Sequence, residues 1–232
     1  MLMGPQNLPA ALAAVRERIA QATSAAHRSA QSVTLLAVGK AQPPGLLAAA
    51  ADCGVTDFGE SYLQEALAKI AALRGRTLTW HFIGRIQANK TRPIAATFAW
   101  VHALDRLKVA ERLAAQRPPH APPLNVCLEV NIAGEASKGG VAPGELPALA
   151  AAVARLPHLR LRGLMCIAPE ESEPARQRAW FARLRVLRDE LNAAGHHLDT
   201  LSMGMSGDFE AAILEGATIV RLGTVLFGTR AP

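Results

Sequence analysis

Val33-Thr34-Leu35-Leu36-Ala37-Val38-Gly39-Lys40 is a short β-rich apolar run that stops on a glycine and a lysine. A run of this length, bounded by turn signals, suits a strand buried on both faces. A helical stretch follows at 44–52, and the same alternation then repeats along the chain. Seven more candidate strands are Asp57–Gly59, Thr79–Ile83, Trp100–Ala103, Asn125–Asn131, Arg160–Ile167, Leu198–Met203 and Ile219–Leu222. Helical patterns separate them at 61–73, 89–97, 105–116, 143–156, 173–194 and 207–216. The 105–116 stretch has Asp105 as its expected N-cap and places Leu107, Ala110, Leu113 and Ala114 on one face. Leu8, Leu12, Val15 and Ile19 mark a further helix before the first strand.

Strands joined by single helices pair in parallel through right-handed crossovers. Eight such units point to a closed (β/α)₈ barrel, an α/β fold of typically about 250 residues, with an extra N-terminal helix. The rival is a doubly wound open sheet, but no G-x-G-x-x-G follows the first strand. The Pro118-Pro119 and Pro122-Pro123 segment reads as a loop, so one domain over residues 1–232 is expected.

Composition narrows the function classes. Half of the 232 residues are hydrophobic and 19% are charged, which supports a buried core. No apolar run reaches the roughly 18–20 residues that span a bilayer, and the first residues lack the pattern of a secretory signal. Cys53, Cys127 and Cys166 are odd in number and far apart, which argues for a reducing compartment. A cytoplasmic protein without a membrane partner is expected. The net charge of +6 could suggest nucleic acid, yet the densest basic group (Arg176, Arg178, Arg183, Arg185 and Arg188) lies on one helix opposite Trp180, Leu184, Leu187 and Leu191. Aromatic residues are only 4%, too few for base-stacking platforms. A nucleic-acid partner is not expected.

Barrel chemistry sits where strands end and βα loops begin. The polar residues there are Gly39-Lys40, Glu60-Ser61, His81, His102, Asn131, Met165, Ser202 to Ser206 and Arg221 to Thr224. Lys40 aims an amine at the barrel mouth, where burial favours the free amine that attacks an aldehyde. Snorkelling past the strand end to water is the alternative. Ser206, with the turn amides before the helix near Asp208, can form an anion site. Gly223 admits a ligand to the backbone, and Thr224 adds a hydroxyl, although ordinary capping by Ser206 and Thr224 is also open. A lysine after strand 1 with a phosphate cradle after strands 7 and 8 suits a phosphorylated aldehyde such as pyridoxal phosphate.

Several blocks resemble one family in order along nearly the whole chain. They are Ala37-Val38-Gly39-Lys40, Phe58-Gly59-Glu60-Ser61-Tyr62-Leu63-Gln64-Glu65-Ala66, Trp80 to Lys90, Glu129 to Ile132 with Glu135 to Lys138, Arg162 to Met165, and Ser202 to Arg230. The Ser202-Met203-Gly204-Met205-Ser206 element is the most specific. The chain resembles the YggS/PROSC family of pyridoxal phosphate homeostasis proteins. The resemblance implies a fold-type III barrel like the cofactor domain of alanine racemases, without their second β-domain. It implies a Schiff base with pyridoxal 5'-phosphate on Lys40, phosphate contacts from Ser206, Gly223 and Thr224, and Arg221 near the pyridine nitrogen. Ser61, His81, Ser202 and Met205 complete the candidate pocket. Two departures stand out: Gly39 replaces the usual Ser before the lysine, and Ser61 replaces the usual Asn after Gly-Glu.

Arg221 also bears on turnover. A catalytic aldimine works best with a protonated pyridine nitrogen facing a carboxylate, whereas arginine offers donors only. A racemase further needs an acid/base group on each face of the substrate carbon. In alanine racemases one comes from the C-terminal domain of a partner, and this sequence ends at Pro232. Tyr62, the lone tyrosine, reads as a packing residue. His81 is open to a structural or a pocket role. The expected function is therefore non-catalytic: a monomeric carrier in intracellular pyridoxal phosphate homeostasis, with apo pyridoxal-phosphate enzymes as recipients. An amino-acid racemase is the alternative, with a polyanion-binding module behind it. Lys138, in a glycine-flanked loop after strand 5, is a candidate secondary cofactor site or simply an exposed loop lysine.

Overall fold

A computed structural model describes residues 7–135 and 138–228. Eight parallel strands close a barrel in chain order: β1 (Thr34–Val38), β2 (Asp57–Glu60), β3 (Thr79–Phe82), β4 (Trp100–Leu104), β5 (Leu124–Glu129), β6 (Leu159–Met165), β7 (Thr200–Ser202) and β8 (Ile219–Leu222). Closure is direct, since Leu36 of β1 pairs with both Asp57 of β2 and Arg221 of β8. Among the described residues, the barrel leaves no strand edge for another chain to pair with. The crossovers carry α2 (Pro44–Asp52), α3 (Leu63–Ala72), α4 (Thr91–Thr97), α5 (Leu107–Gln116), α6 (Leu146–Ala154), α7 (Pro174–Ala193) and α8 (Phe209–Leu214). Helix α1 (Leu8–Ala25) precedes the barrel, and the one-turn helix α9 (Thr224–Phe227) follows it.

Most of the hydrophobic core lies between strands and helices. Helix α5 buries Val109, Ala110, Leu113 and Ala114, and α6 buries Leu146, Leu149, Ala150 and Val153. Both sets recur at the three- and four-residue spacing of one helix face. Helix α1 buries Leu8, Leu12, Val15 and Ile19 in the same cluster as Phe209 and Ala212 of α8. Its Arg18 ion-pairs with Glu210 and sits 4.5 Å over the Phe209 ring. Inside the barrel a small cluster of Ala103, Cys127 and Met165 meets a set of buried polar groups. Among the described residues, no helix is long and apolar enough to cross a membrane.

The expected strands all form, with shifted ends except for β8. The apolar run Asn125–Asn131 stops pairing as a regular strand at Glu129, although Val130 and Ile132 stay buried under the following loop. Likewise Cys166 is fully buried beyond the end of β6. Burial extends past the hydrogen-bonded ladder, so apolar content alone overstates strand length. The expected Asp105 N-cap does not form. Arg106 occupies that position without a side-chain cap, and Asp105 accepts a bond from Arg106 Nε at 2.8 Å instead. Asp208 precedes α8, but its carboxylate accepts from the Met205 amide behind it. The arginine-rich face of α7 is partly neutralised: Arg178 and Arg185 both pair with the buried Glu215.

Candidate functional site

The C-terminal ends of β1, β2, β7 and β8 surround a cavity of about 410 Å³. Lys40, Ser61, Met205, Ser206, Arg221, Gly223 and Thr224 line it, with Val38, Ile83 and Ile167 as apolar walls. Seven of the ten residues proposed from sequence therefore share one cavity. Lys40 follows β1 directly, and its Nζ lies 5.0 Å from the centre of the Tyr62 ring. Tyr62 is 54% exposed, so it is a rim residue beside Lys40 rather than a packing residue.

The β7 and β8 loops form a small cradle on one side of this cavity. Ser206 Oγ accepts from the Val225 amide at 3.3 Å, which ties the two loops together. The amides of Ser206, Gly207, Gly223 and Thr224 find no partner among the described residues. Unpaired turn amides and hydroxyls facing a cavity suit an anion. Nothing in the chain itself demands glycine at 223: its φ is −119°, and an added Cβ would meet only Val38 at ordinary contact distance, 3.5 Å. The missing side chain leaves room on the cavity side, where a phosphate can reach the backbone.

Arg221 forms the floor. Its Nη1 donates to the Ser202 carbonyl at 2.7 Å and to Ser202 Oγ at 2.9 Å, and Nη2 donates to the Cys166 carbonyl at 2.9 Å. The guanidinium is thus fixed before any ligand arrives. Burial lowers its pKa from the usual range, and it remains a donor. Cys127 and Cys166 lie close by, and burial pushes both thiols up to about 12, which makes them unreactive.

Two sequence candidates lie beneath this floor rather than at the mouth. Ser202 Oγ sits 2.8 Å from His102 Nδ1, His102 Nε2 lies 3.0 Å from His81 Nδ1, and His81 Nε2 lies 3.0 Å from Asp57 Oδ1. The Asp57 carboxylate can only accept, which fixes the direction back to Ser202, whose hydroxyl donates to His102. His102 then donates to His81, and His81 donates to the Asp57 carboxylate. One consistent direction runs through two neutral imidazoles. Burial lowers the pKa of both histidines, and the Arg221 guanidinium lowers His102 further. Burial opposes ionisation of Asp57, yet bonds from His81 and Thr56 hold it below its usual range. His81 does turn inward, but it lies within β3 against Gly59 and Trp100, short of the strand end. It does not line the mouth cavity, and neither does Ser202. Alternation can place a residue inside a barrel without fixing its depth.

Lys138 is the remaining candidate. It ion-pairs with Glu135 at 2.7 Å and lines a neighbouring depression of about 120 Å³ with Glu129, Asn131 and Gly139. Ile167 lines both cavities and separates them. Residues 136, 137, 229 and 230, part of the motif blocks above, lie outside the described residues. Sequence reading assigned no role to Asp57, Glu65 or Lys69, and it only placed Glu60 and His102 near strand ends. All five carry polar contacts at or under the site.

A sequence profile described as alanine racemase, N-terminal domain, matches residues 11–231. A Pseudomonas aeruginosa protein named pyridoxal phosphate homeostasis protein is 60% identical over 219 residues, 94% of each chain. An Escherichia coli K12 protein of the same name is 49% identical over 222 residues, 94% of this chain and 95% of its own. The chain belongs to the pyridoxal phosphate homeostasis protein family. Within solved structures, PipY of Synechococcus elongatus with PLP bound matches at a TM-score of 0.81 and 37% identity, covering 92% of this chain and all of PipY. Alanine racemase of Clostridium difficile matches at a TM-score of 0.75 but only 15% identity, over 58% of its length, and shows the shared barrel fold alone. Against the family pattern, Gly39 has a local explanation. A Cβ there would clash with Glu60 Oε1 and stand 2.9 Å from Leu47 Cδ2.

Proposed function

We propose that this protein binds pyridoxal 5'-phosphate at the barrel mouth, holds it on Lys40, and serves pyridoxal phosphate homeostasis without catalytic turnover. The observation that carries the reading is the single cavity joining Lys40, Arg221 and the Ser206–Gly223–Thr224 cradle. When bound, pyridoxal phosphate supplies an aldehyde that condenses reversibly with an amine to a Schiff base. Lys40 supplies that amine. Ser206, Thr224 and the unpaired turn amides hold the phosphate, and Arg221 offers a donor to the ring nitrogen. Ser61 and Met205 border the opening. Ser202 and His81 act indirectly, by orienting Arg221 from below. The family membership and the PLP-bound PipY relative support the ligand.

The absence of turnover rests on the lining. Among the described residues, no carboxylate or histidine lines the cavity to serve as the second acid/base group, and Tyr62 stands 54% exposed at its rim. Arg221 keeps the ring nitrogen an unprotonated acceptor, which weakens the electron sink. The described chain would work as a monomeric domain that passes its cofactor to apo enzymes, with Lys138 as a transient station. Chiral chromatography after long incubation with common amino acids tests the first point. No racemisation is expected; robust turnover lost in Lys40→Ala would establish an amino-acid racemase instead. For Lys138, slower transfer to an apo-enzyme in Lys138→Ala is expected, and unchanged transfer would remove it.

A further inference from the structure

We infer that Lys69 and Glu65 of α3 are positioning residues that hold Lys40 by gripping the two peptide groups on either side of it. The inference rests on Lys40 being the attachment lysine proposed above. Lys69 Nζ donates at 2.6 Å to the carbonyl of Gly39, the residue before Lys40. Glu65 Oε1 accepts at 2.6 Å from the amide of Ala41, the residue after it. The two grips are joined, because Lys69 also donates to Glu65 at 2.5 Å and to Glu60 at 2.8 Å. An ammonium has three hydrogens, and all three are used. Lys69 is 2% exposed and Glu60 fully buried, so this cluster is built into the wall.

Ala41 shows what the grip opposes. Its φ is +60°, a left-handed conformation that an alanine rarely adopts. The bond to Glu65 holds that conformation, and with it the direction in which the chain leaves β1. Gly39 completes the arrangement, since its lack of a side chain lets Glu60 and Leu47 fill the space behind the lysine. None of these groups lines the mouth cavity. They act on Lys40 through its backbone.

The test is a spectroscopic titration with pyridoxal phosphate of wild type, Glu65→Ala, Glu65→Gln and Glu65→Ala/Ala41→Gly, with borohydride mapping of the modified lysine. Glu65→Ala should bind at least about tenfold more weakly, from losing a hydrogen bond to a charged group. Glu65→Gln keeps an acceptor for the Ala41 amide and should bind within about threefold of wild type. Glycine adopts the left-handed region freely, so Ala41→Gly should restore most of the loss in Glu65→Ala. Exchange of the Ala41 amide, slow in wild type and in Glu65→Gln, should become fast in Glu65→Ala. Lys69→Met should weaken binding as well, but it risks the fold, so the Glu65 series decides. Wild-type affinity in Glu65→Ala would overturn the inference, as would a loss that neither glutamine nor Ala41→Gly repairs. A wild-type protein that binds without modification of Lys40 would overturn the attachment site itself, a distinct failure.

Discussion

Ser206 and Thr224 are the side chains whose contribution can be isolated most cleanly. Charge-assisted hydrogen bonds contribute roughly 1.5–3 kcal/mol each. The Ser206→Ala/Thr224→Ala variant should therefore lose at least about a hundredfold in affinity for pyridoxal phosphate while scarcely changing its affinity for pyridoxal. Titration of both aldehydes reads this directly, and equal losses for the two would remove the phosphate cradle. Beneath the site, His102→Phe leaves the Ser202 hydroxyl hydrogen without its acceptor and His81 Nδ1 without its donor. Each stranded buried group costs about 1–3 kcal/mol, so urea unfolding should show a loss of that order or more. The cofactor spectrum should shift too, because the Ser202 hydroxyl that accepts from Arg221 is then free to turn. Lys40, Ser206, Gly223 and Thr224 were legible in the sequence because strand-end position and residue type suffice to place them. Lys69 was not: it sits in a helix among apolar residues, and only the packed structure brings its amine to the Gly39 carbonyl.

Strand β6 carries the tightest backbone constraint among the elements. A Cβ at Gly163 would overlap the Thr200 carbonyl of β7, and neither backbone can move without opening the barrel. Gly163→Ala should reduce the soluble yield sharply or lower the melting temperature by many degrees, whereas Gly144→Ala, with open space around it, should change little. The packing of α1 against α8 is a second element-scale test. Phe209 is fully buried there, and Phe209→Ala should cost about 3–5 kcal/mol in chemical denaturation. The order and type of these elements were readable from alternation of short apolar runs and helical spacing. Their ends were not, because buried residues such as Val130 and Cys166 continue the apolar pattern after the regular strand has stopped. The absence of a side-chain cap on α5 was also invisible, since Asp105 has the right chemistry and a competing partner one residue away.

For the whole molecule, two sets of buried groups link stability to pH with opposite signs. His81 and His102 have lowered pKa values, so their contribution is present above about pH 6.5, the unfolded value, and is lost as pH falls. Burial pushes Glu60 up to about 7 despite Lys69, so its contribution is present at low pH and is lost as pH rises from about 4.5 towards 7. Glu60→Gln keeps an acceptor and removes the titration. Its stability relative to wild type should therefore rise between about pH 5 and about pH 8 in urea unfolding. A flat difference would mean that Glu60 does not titrate in that window. The barrel was foreseeable from eight strand–helix units, and the mouth cavity from the fold, but the polar interior was not. Asp57, His81 and His102 come from separate strands, and their common depth is set by barrel register. All these parts surround the mouth of the barrel, where we propose that Lys40 captures pyridoxal phosphate. The most direct measurement is borohydride reduction of the protein with pyridoxal phosphate, followed by peptide mapping. The adduct should fall on Lys40 and vanish in Lys40→Ala; an adduct on another lysine, with Lys40 unmodified, would contradict attachment at Lys40.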